Sequence, residues 1–198
     1  MSTAGIILAA GESRRMGFPK ALLRYREESF LDTLVGLFTP RCSPVIVVLG
    51  AHSQRLREAA LRPATFVVNA DYQCGQTSSM QCGLRAVPPG IDGVLFTLVD
   101  HPAVAPATLD ALLASPAPQR DTAGPLVRVP RHAGRRGHPI WFSPDLIAEF
   151  LALPANGAAR EIVRNHGGQT EFLDVDDPGI LADIDDAEAY SRLTGASL

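Results

Sequence analysis

An α/β fold of three layers, with helices over both faces of a mainly parallel central sheet, is what this sequence predicts. Three observations carry the prediction. Short apolar runs such as Ile6-Ile7-Leu8-Ala9-Ala10 and Val45-Ile46-Val47-Val48-Leu49 are hydrophobic throughout, so they belong to strands covered on both faces. Amphipathic helical segments separate them, as expected for parallel strands joined by crossover helices. The runs stop at Gly11, Gly50, Asn69 and Asp100, which puts polar and flexible groups beyond the carboxyl ends of the strands, where such sheets bind ligands. A length of 198 residues suits one domain spanning 1–198 with a substantial core.

The elements follow in order. After the first strand and its loop, Leu22-Leu23-Arg24-Tyr25 is short and extended, and Ser29 with Asp32 forms a capping pair that opens a helix through about Phe38. Pro40 and Pro44 bracket the exit to the second strand, Val45 to Leu49. Ser53 is the expected N-cap of a helix from Gln54 to Arg62, with Leu56, Ala60 and Leu61 on its apolar face. Thr65 to Val68 reads as a third strand. Asp71 to Gln76 is polar, and Thr77 or Ser78 caps a helix from Ser79 to about Ala86. Gly93 to Val99 is the fourth strand, ended by Asp100-His101-Pro102.

Pro106 to Leu113 reads as a helix and Ser115 to Pro118 as loop. Leu126 to Pro130 and Pro139 to Phe142 are two β runs joined by the cationic turn His132 to His138, a small β-hairpin extension whose prolines place it at an edge or sheet margin. Leu146, Ile147, Phe150 and Leu151 have core spacing in a helix from about Asp145 to Leu153; Ala158 to Asn165 is another helix, ended by Gly167-Gly168. Thr170 to Val175 makes a last strand before a terminal helix, Ala187 to Leu193.

With 46% hydrophobic and 20% charged residues and a formal net charge of -3, the chain has no global basic field for nucleic acid, so any anion binding is local. Cys42, Cys74 and Cys82 are odd in number and lack C-x-x-C spacing; they read as core or near-core thiols of a reducing cytoplasm. No apolar run approaches the roughly 20 residues that span a bilayer, and the first strand begins at the N-terminus with no room for a signal peptide. The expectation is a cytoplasmic protein that touches neither membrane nor nucleic acid.

The chemistry concentrates in Gly11-Glu12-Ser13-Arg14-Arg15-Met16-Gly17-Phe18-Pro19-Lys20. The small Ala9-Ala10-Gly11 corner lets a ligand approach the main chain, and successive N–H groups in such a turn form an anion-binding concavity. Arg15 can grip phosphate oxygens with a fork, while Lys20, held by Pro19, acts as a point charge. Neither a dinucleotide fingerprint nor a P-loop fits the glycine spacing. Asp100 ends a buried strand, where a carboxylate needs a cation; beside phosphates, magnesium is the natural one.

The stretch Leu8-Ala9-Ala10-Gly11 through Arg15-Met16-Gly17 to Lys20 closely resembles the signature of the nucleotidyltransferases related to molybdenum-cofactor guanylyl- and cytidylyltransferases, the MobA-like NTP transferase family. The resemblance extends over essentially the whole chain and implies a Rossmann-like nucleotidyltransferase fold. It implies that Ala9, Ala10, Gly11, Arg15 and Lys20 hold the nucleotide and its triphosphate, and that Gly75 and Ser79 contact base and ribose. Asp100 falls on the family's metal-binding aspartate, and His101 departs from the usual residue after it. In the Asp183-Ile184-Asp185 ending, Asp185 is the candidate second metal carboxylate and Asp183 a supporting one. Arg136 and His138, in Arg136-Gly137-His138-Pro139, fall with His101 on the acceptor side.

The Ala9-Ala10-Gly11 form is that of cytidylyl-transferring relatives, which implies CTP over GTP; the nucleotide partner is CTP or another NTP. The implied activity is transfer of CMP to the phosphate of the molybdopterin-type molybdenum cofactor, with Mg2+ or else Mn2+ as metal, pyrophosphate as product and an apo-molybdenum hydroxylase as recipient. Arg15, Lys20 and Asp100 are the implied catalytic residues. Pro154-Ala155-Asn156 stands where cytidylyl-transferring relatives carry an acid. That departure leaves open a different acceptor such as a sugar or polyol phosphate; the other alternative, a non-catalytic cofactor-binding accessory protein, is opposed by the intact Arg15, Lys20 and Asp100.

Overall fold

A computed structural model describes residues 2–114, 126–154 and 157–196. Its central sheet holds β1 (Thr3–Ala9), β4 (Val45–Leu49), β5 (Thr65–Val68), β6 (Gly93–Leu98), β7 (Val127–His132), β8 (Arg135–Arg136), β9 (Ile140–Phe142) and β10 (Thr170–Asp174). The order is β10-β7-β9-β6-β1-β4-β5, with β8 paired to β7 alone; β2 (Arg24–Tyr25) and β3 (Glu28–Ser29) form a separate ribbon. β1 lies between β4 and β6, parallel to both, so the chain leaves β1 to one side and returns to its other side. A crevice opens at that reversal, beyond the carboxyl ends of the strands.

The helices are α1 (Phe30–Phe38), α2 (Ser53–Ala59), α3 (Gln76–Arg85), α4 (Pro106–Ala114), α5 (Ile147–Ala152), α6 (Arg160–Asn165) and α7 (Ala187–Thr194). Every residue of β1 and β4 is buried, and strand alternation splits their side chains between two cores. Ile7, Val47 and Leu95 face a cluster with Phe30 and Leu34 of α1, Leu109 of α4 and Tyr190 of α7. Ile6, Val48 and Phe96 face the other, with Met80 and Leu84 of α3, Phe150 of α5 and Ile162 of α6. This is the three-layer α/β/α arrangement that unbroken apolar strands require.

Four details differ from the expectations. Ser29 caps α1 as read, but α2 starts one residue earlier, after His52, and stops at Ala59. The reason for the early stop is Asp32: buried, it accepts the main-chain N–H groups of Leu61 and Arg62 at 2.9 and 3.0 Å and pulls that segment off the helical path. α3 starts at Gln76, three residues early, on Gly75 rather than on a hydroxyl cap. Gly75 has φ +116°, a backbone that only glycine adopts readily, while Thr77 and Ser78 donate their hydroxyls to the carbonyls of Gly157 and Gly75.

The proline-flanked runs are interior, not marginal. β9 sits antiparallel between β6 and β7, and β10 covers the far side of β7. Only the tip, β7 with β8, extends as a hairpin. Interior placement explains why Arg128, 1% exposed, lies 4.2 Å from the centre of the Trp141 ring and pairs with Glu171. Among the thiols, Cys42 is core and Cys74 is exposed, against the expectation for the latter. The loop expected at Ser115 to Pro118 and the Ala155-Asn156 pair lie outside the described residues.

Candidate active site

The first loop is built from main-chain constraints. Gly50, at the end of β4, stands against Ala10 and Tyr72 so closely that a Cβ there would clash with the Ala10 carbonyl, and this lets the two strand ends meet. Ser13 adopts a left-handed φ of 54°, unusual for a residue with a Cβ. Its hydroxyl accepts the Lys20 N–H at 3.0 Å, closing the loop on itself and returning Lys20 to the crevice. Strain held by a polar bond in a strand-end loop is typical of functional loops.

The acids arrive from two distant stretches. The main-chain N–H of Ile184 donates to the Asp100 carbonyl at 3.1 Å, which brings the two aspartates flanking Ile184 to the end of β6. Asp100, Asp183 and Asp185 each offer an oxygen within 4.8 Å of the others. Lys20 Nζ lies 3.4 Å from Asp100 Oδ2 and pairs with Asp185 Oδ1. Arg15, far more exposed, reaches Asp185 Oδ2 at 3.2 Å.

The electrostatics follow from these contacts. Burial alone would push the Asp100 carboxyl up, but the hydrogen bond with His101 and the Lys20 charge outweigh it and hold it below the ordinary carboxylate value. Asp185 is held low by its bond to Lys20. Asp183 goes the other way, raised by partial loss of solvent and by the charges of Asp100 and Asp185. The three are hard oxygen donors carrying more negative charge than Lys20 neutralises, a donor set that suits a divalent cation such as magnesium, calcium or manganese.

A cleft of about 710 Å³, a size that fits a small-molecule ligand, is lined by Ala9, Ala10, Gly11, Arg15, Lys20, Gly75, Ser79, Asp100 and Asp185. The structure thus gathers those sequence-named residues into one hollow. Arg136 is not among its lining: it is exposed on β8, with its guanidinium 4.4 Å from the centre of the Phe172 ring. His101 and His138 lie behind it. His101 is buried with Nδ1 2.9 Å from Asp100 Oδ1, and the His138 ring sits 5.0 Å from that of His101. Burial, reinforced by His101, pushes the His138 imidazole down to about 4, so it is neutral.

Sequence reading missed Tyr72, Gln73 and Gln76, which complete the cleft wall beside Gly75. It also missed the work of Asn69, noted only as a strand end. Its buried amide donates to the hydroxyls of Ser78 and Ser79 at 2.9 and 3.0 Å, and its carbonyl accepts the Asp71 N–H, so it fixes the start of α3 against the cleft. A polar residue ending a buried strand was the available signal.

Comparison with known proteins places this geometry. The chain is 33% identical to nicotine blue oxidoreductase of Paenarthrobacter nicotinovorans, covering 96% of this chain and 95% of that one. It is 27% identical to molybdenum cofactor cytidylyltransferase of Escherichia coli K12, over 93% and 92% of the two chains. Rv0371c of Mycobacterium tuberculosis H37Rv, solved in complex with manganese, superimposes with a TM-score of 0.78 at 30% identity, over 99% of this chain and all of that one. The names of these relatives span more than one activity, so kinship defines the family and not the reaction. Residues 5–170 match the MobA-like NTP transferase domain, and the chain belongs to that family of nucleotidyltransferases.

Proposed function

We propose that this protein transfers CMP from CTP to the phosphate of a molybdopterin-type molybdenum cofactor. An acceptor phosphate oxygen attacks the α-phosphorus, the bond from that phosphorus to the bridging oxygen breaks, and pyrophosphate leaves. Such chemistry asks a protein for positioning and for cations on charged oxygens rather than for a covalent nucleophile. The observation that carries the reading is the meeting of Lys20, Asp100 and Asp185 in one cleft beside the Ala9-Ala10-Gly11 corner.

In this reading the main chain at Ala10 and Gly11 receives the phosphates, and Arg15 and Lys20 neutralise those that become pyrophosphate. Gly75 and Ser79, the latter held by Asn69, face the base and ribose. The Ala9-Ala10-Gly11 corner, which lacks a second glycine, favours a pyrimidine in this reading, a discrimination of the order of 10- to 200-fold for a difference of this size. Asp100 and Asp185, supported by Asp183, would hold a divalent ion, magnesium or manganese, which when bound supplies charge neutralisation on the triphosphate. His101 orients Asp100 from behind, and buried His138 backs His101 in place of touching the acceptor. Exposed Arg136 is the cation available to an acceptor phosphate, and an apo-molybdenum hydroxylase is the fitting recipient of the product.

The test is a pyrophosphate-release screen of each NTP against the molybdopterin-type cofactor and against sugar and polyol phosphates. Release with CTP and the cofactor is expected. Release only with another phosphate would reassign the acceptor. Tight cofactor binding without release from any NTP would instead support a non-catalytic accessory role.

A further inference from the structure

Lys20 stands where a cation between the carboxylates belongs. Its Nζ is 3.4 Å from Asp100 Oδ2 and paired with Asp185 Oδ1, and the Lys20 and Asp100 side chains are only 13% and 17% exposed. The ammonium is thus the counter-ion that offsets part of the acids' mutual repulsion, while the Ile184–Asp100 main-chain bond brings them together. A divalent ion shared by Asp100 and Asp185 would sit beside that ammonium, open to screening water only on the Asp185 side, which is 40% exposed, and its repulsion would be twice that of a unit charge. The two cations would compete for the same carboxylate oxygens.

We propose that Lys20 is a placeholder: its ammonium and a divalent ion are alternative occupants of the Asp100–Asp185 pair, and nucleotide phosphates empty the pair by drawing Lys20 away. The drawing away by phosphates rests on the nucleotidyl-transfer reading; the exclusion of metal by Lys20 rests on geometry alone. The local construction supports a pivot. The Lys20 main chain is pinned by the bond of its N–H to Ser13 Oγ, and Lys20 lines the same cleft as Ala10 and Gly11. Arg15, the other cation on Asp185, reaches it at 3.2 Å from a side chain that is 73% exposed, so it is the less constrained of the two. The consequence is ordered loading, in which the nucleotide-free protein binds metal weakly and phosphate binding raises its metal affinity. By linkage, metal raises phosphate affinity by the same factor.

The test titrates Mn2+ alone into nucleotide-free protein and reads the bound fraction from loss of the free-ion electron paramagnetic resonance signal, with circular dichroism to check folding. Lys20→Met, with Lys20→Gln as a second neutral variant, is expected to bind Mn2+ at least about tenfold more tightly than the parent. Asp100→Asn is expected to abolish that binding. Equal or weaker binding by both Lys20 variants, in a protein whose binding Asp100→Asn still abolishes, overturns the placeholder role and leaves the transferase reading standing. Mn2+ binding indifferent to Lys20 and Asp100 alike overturns both.

Discussion

Ile184 donates its main-chain N–H to the carbonyl of Asp100 at 3.1 Å, and this single bond joins the end of β6 to the segment before α7. A backbone contact, insensitive to which side chains flank it, thereby assembles the acid cluster. The functional consequences depend on the charges that it brings within reach of Lys20.

Removing either partner of the Lys20–Asp100 contact should cost turnover without unfolding the chain. Lys20→Ala and Asp100→Ala are each expected to lower the rate of pyrophosphate release by a factor of about 100 to 1,000, the usual loss when one preorganised electrostatic contact is removed. Steady-state kinetics with circular dichroism as a folding control checks this. Near-parental turnover in either variant rejects the site.

Acid should weaken the Asp100 contribution to stability. The folded-state carboxyl lies below its ordinary value of 3.8, so the folded protein binds this proton less readily than the unfolded chain. The stabilisation is therefore complete above the unfolded value and is lost as pH falls towards the depressed one. In urea unfolding, the deficit of Asp100→Asn relative to the parent is expected to be largest near neutrality and to shrink below pH 3.8. A deficit that grows with acidity refutes the assignment.

Gly11 after β1 and Gly50 after β4 should respond differently to alanine. Gly50→Ala forces a methyl against the Ala10 carbonyl and Tyr72, and should cost about 1 to 3 kcal/mol in chemical denaturation. Gly11 has open space around the same position, so Gly11→Ala should leave stability unchanged and act on nucleotide affinity alone. Equilibrium titration with CTP, beside the denaturation curves, separates the two effects.

The thiols should label in a fixed order. Burial pushes the Cys42 thiol up to about 12, leaving almost no thiolate at pH 8, whereas Cys74 is exposed. Alkylation of the folded protein, followed by mass spectrometry, is expected to mark Cys74 first and Cys42 only on unfolding. Early modification of Cys42 contradicts its place in the core.

Some of this was legible in the order of residues alone. Runs such as Val45 to Leu49, apolar at every position, can lie only between two layers, and the Ser29–Asp32 cap marks α1 because capping is local. The glycine- and cation-bearing loop from Gly11 to Lys20 could be singled out for the same reason, since its groups are neighbours in the chain. What the tertiary structure alone decided is non-local. That β9 enters the sheet antiparallel beside β6, that Asp32 ends α2, that His138 lies buried behind His101 while Arg136 stays outside the cleft, and that Lys20 bridges Asp100 and Asp185 are all pairings across tens of residues. Periodicity and propensity report what each segment can bury. Which segment lies beside which is set by the summed packing of the whole chain, and there the distances between charges, and so the chemistry, are determined.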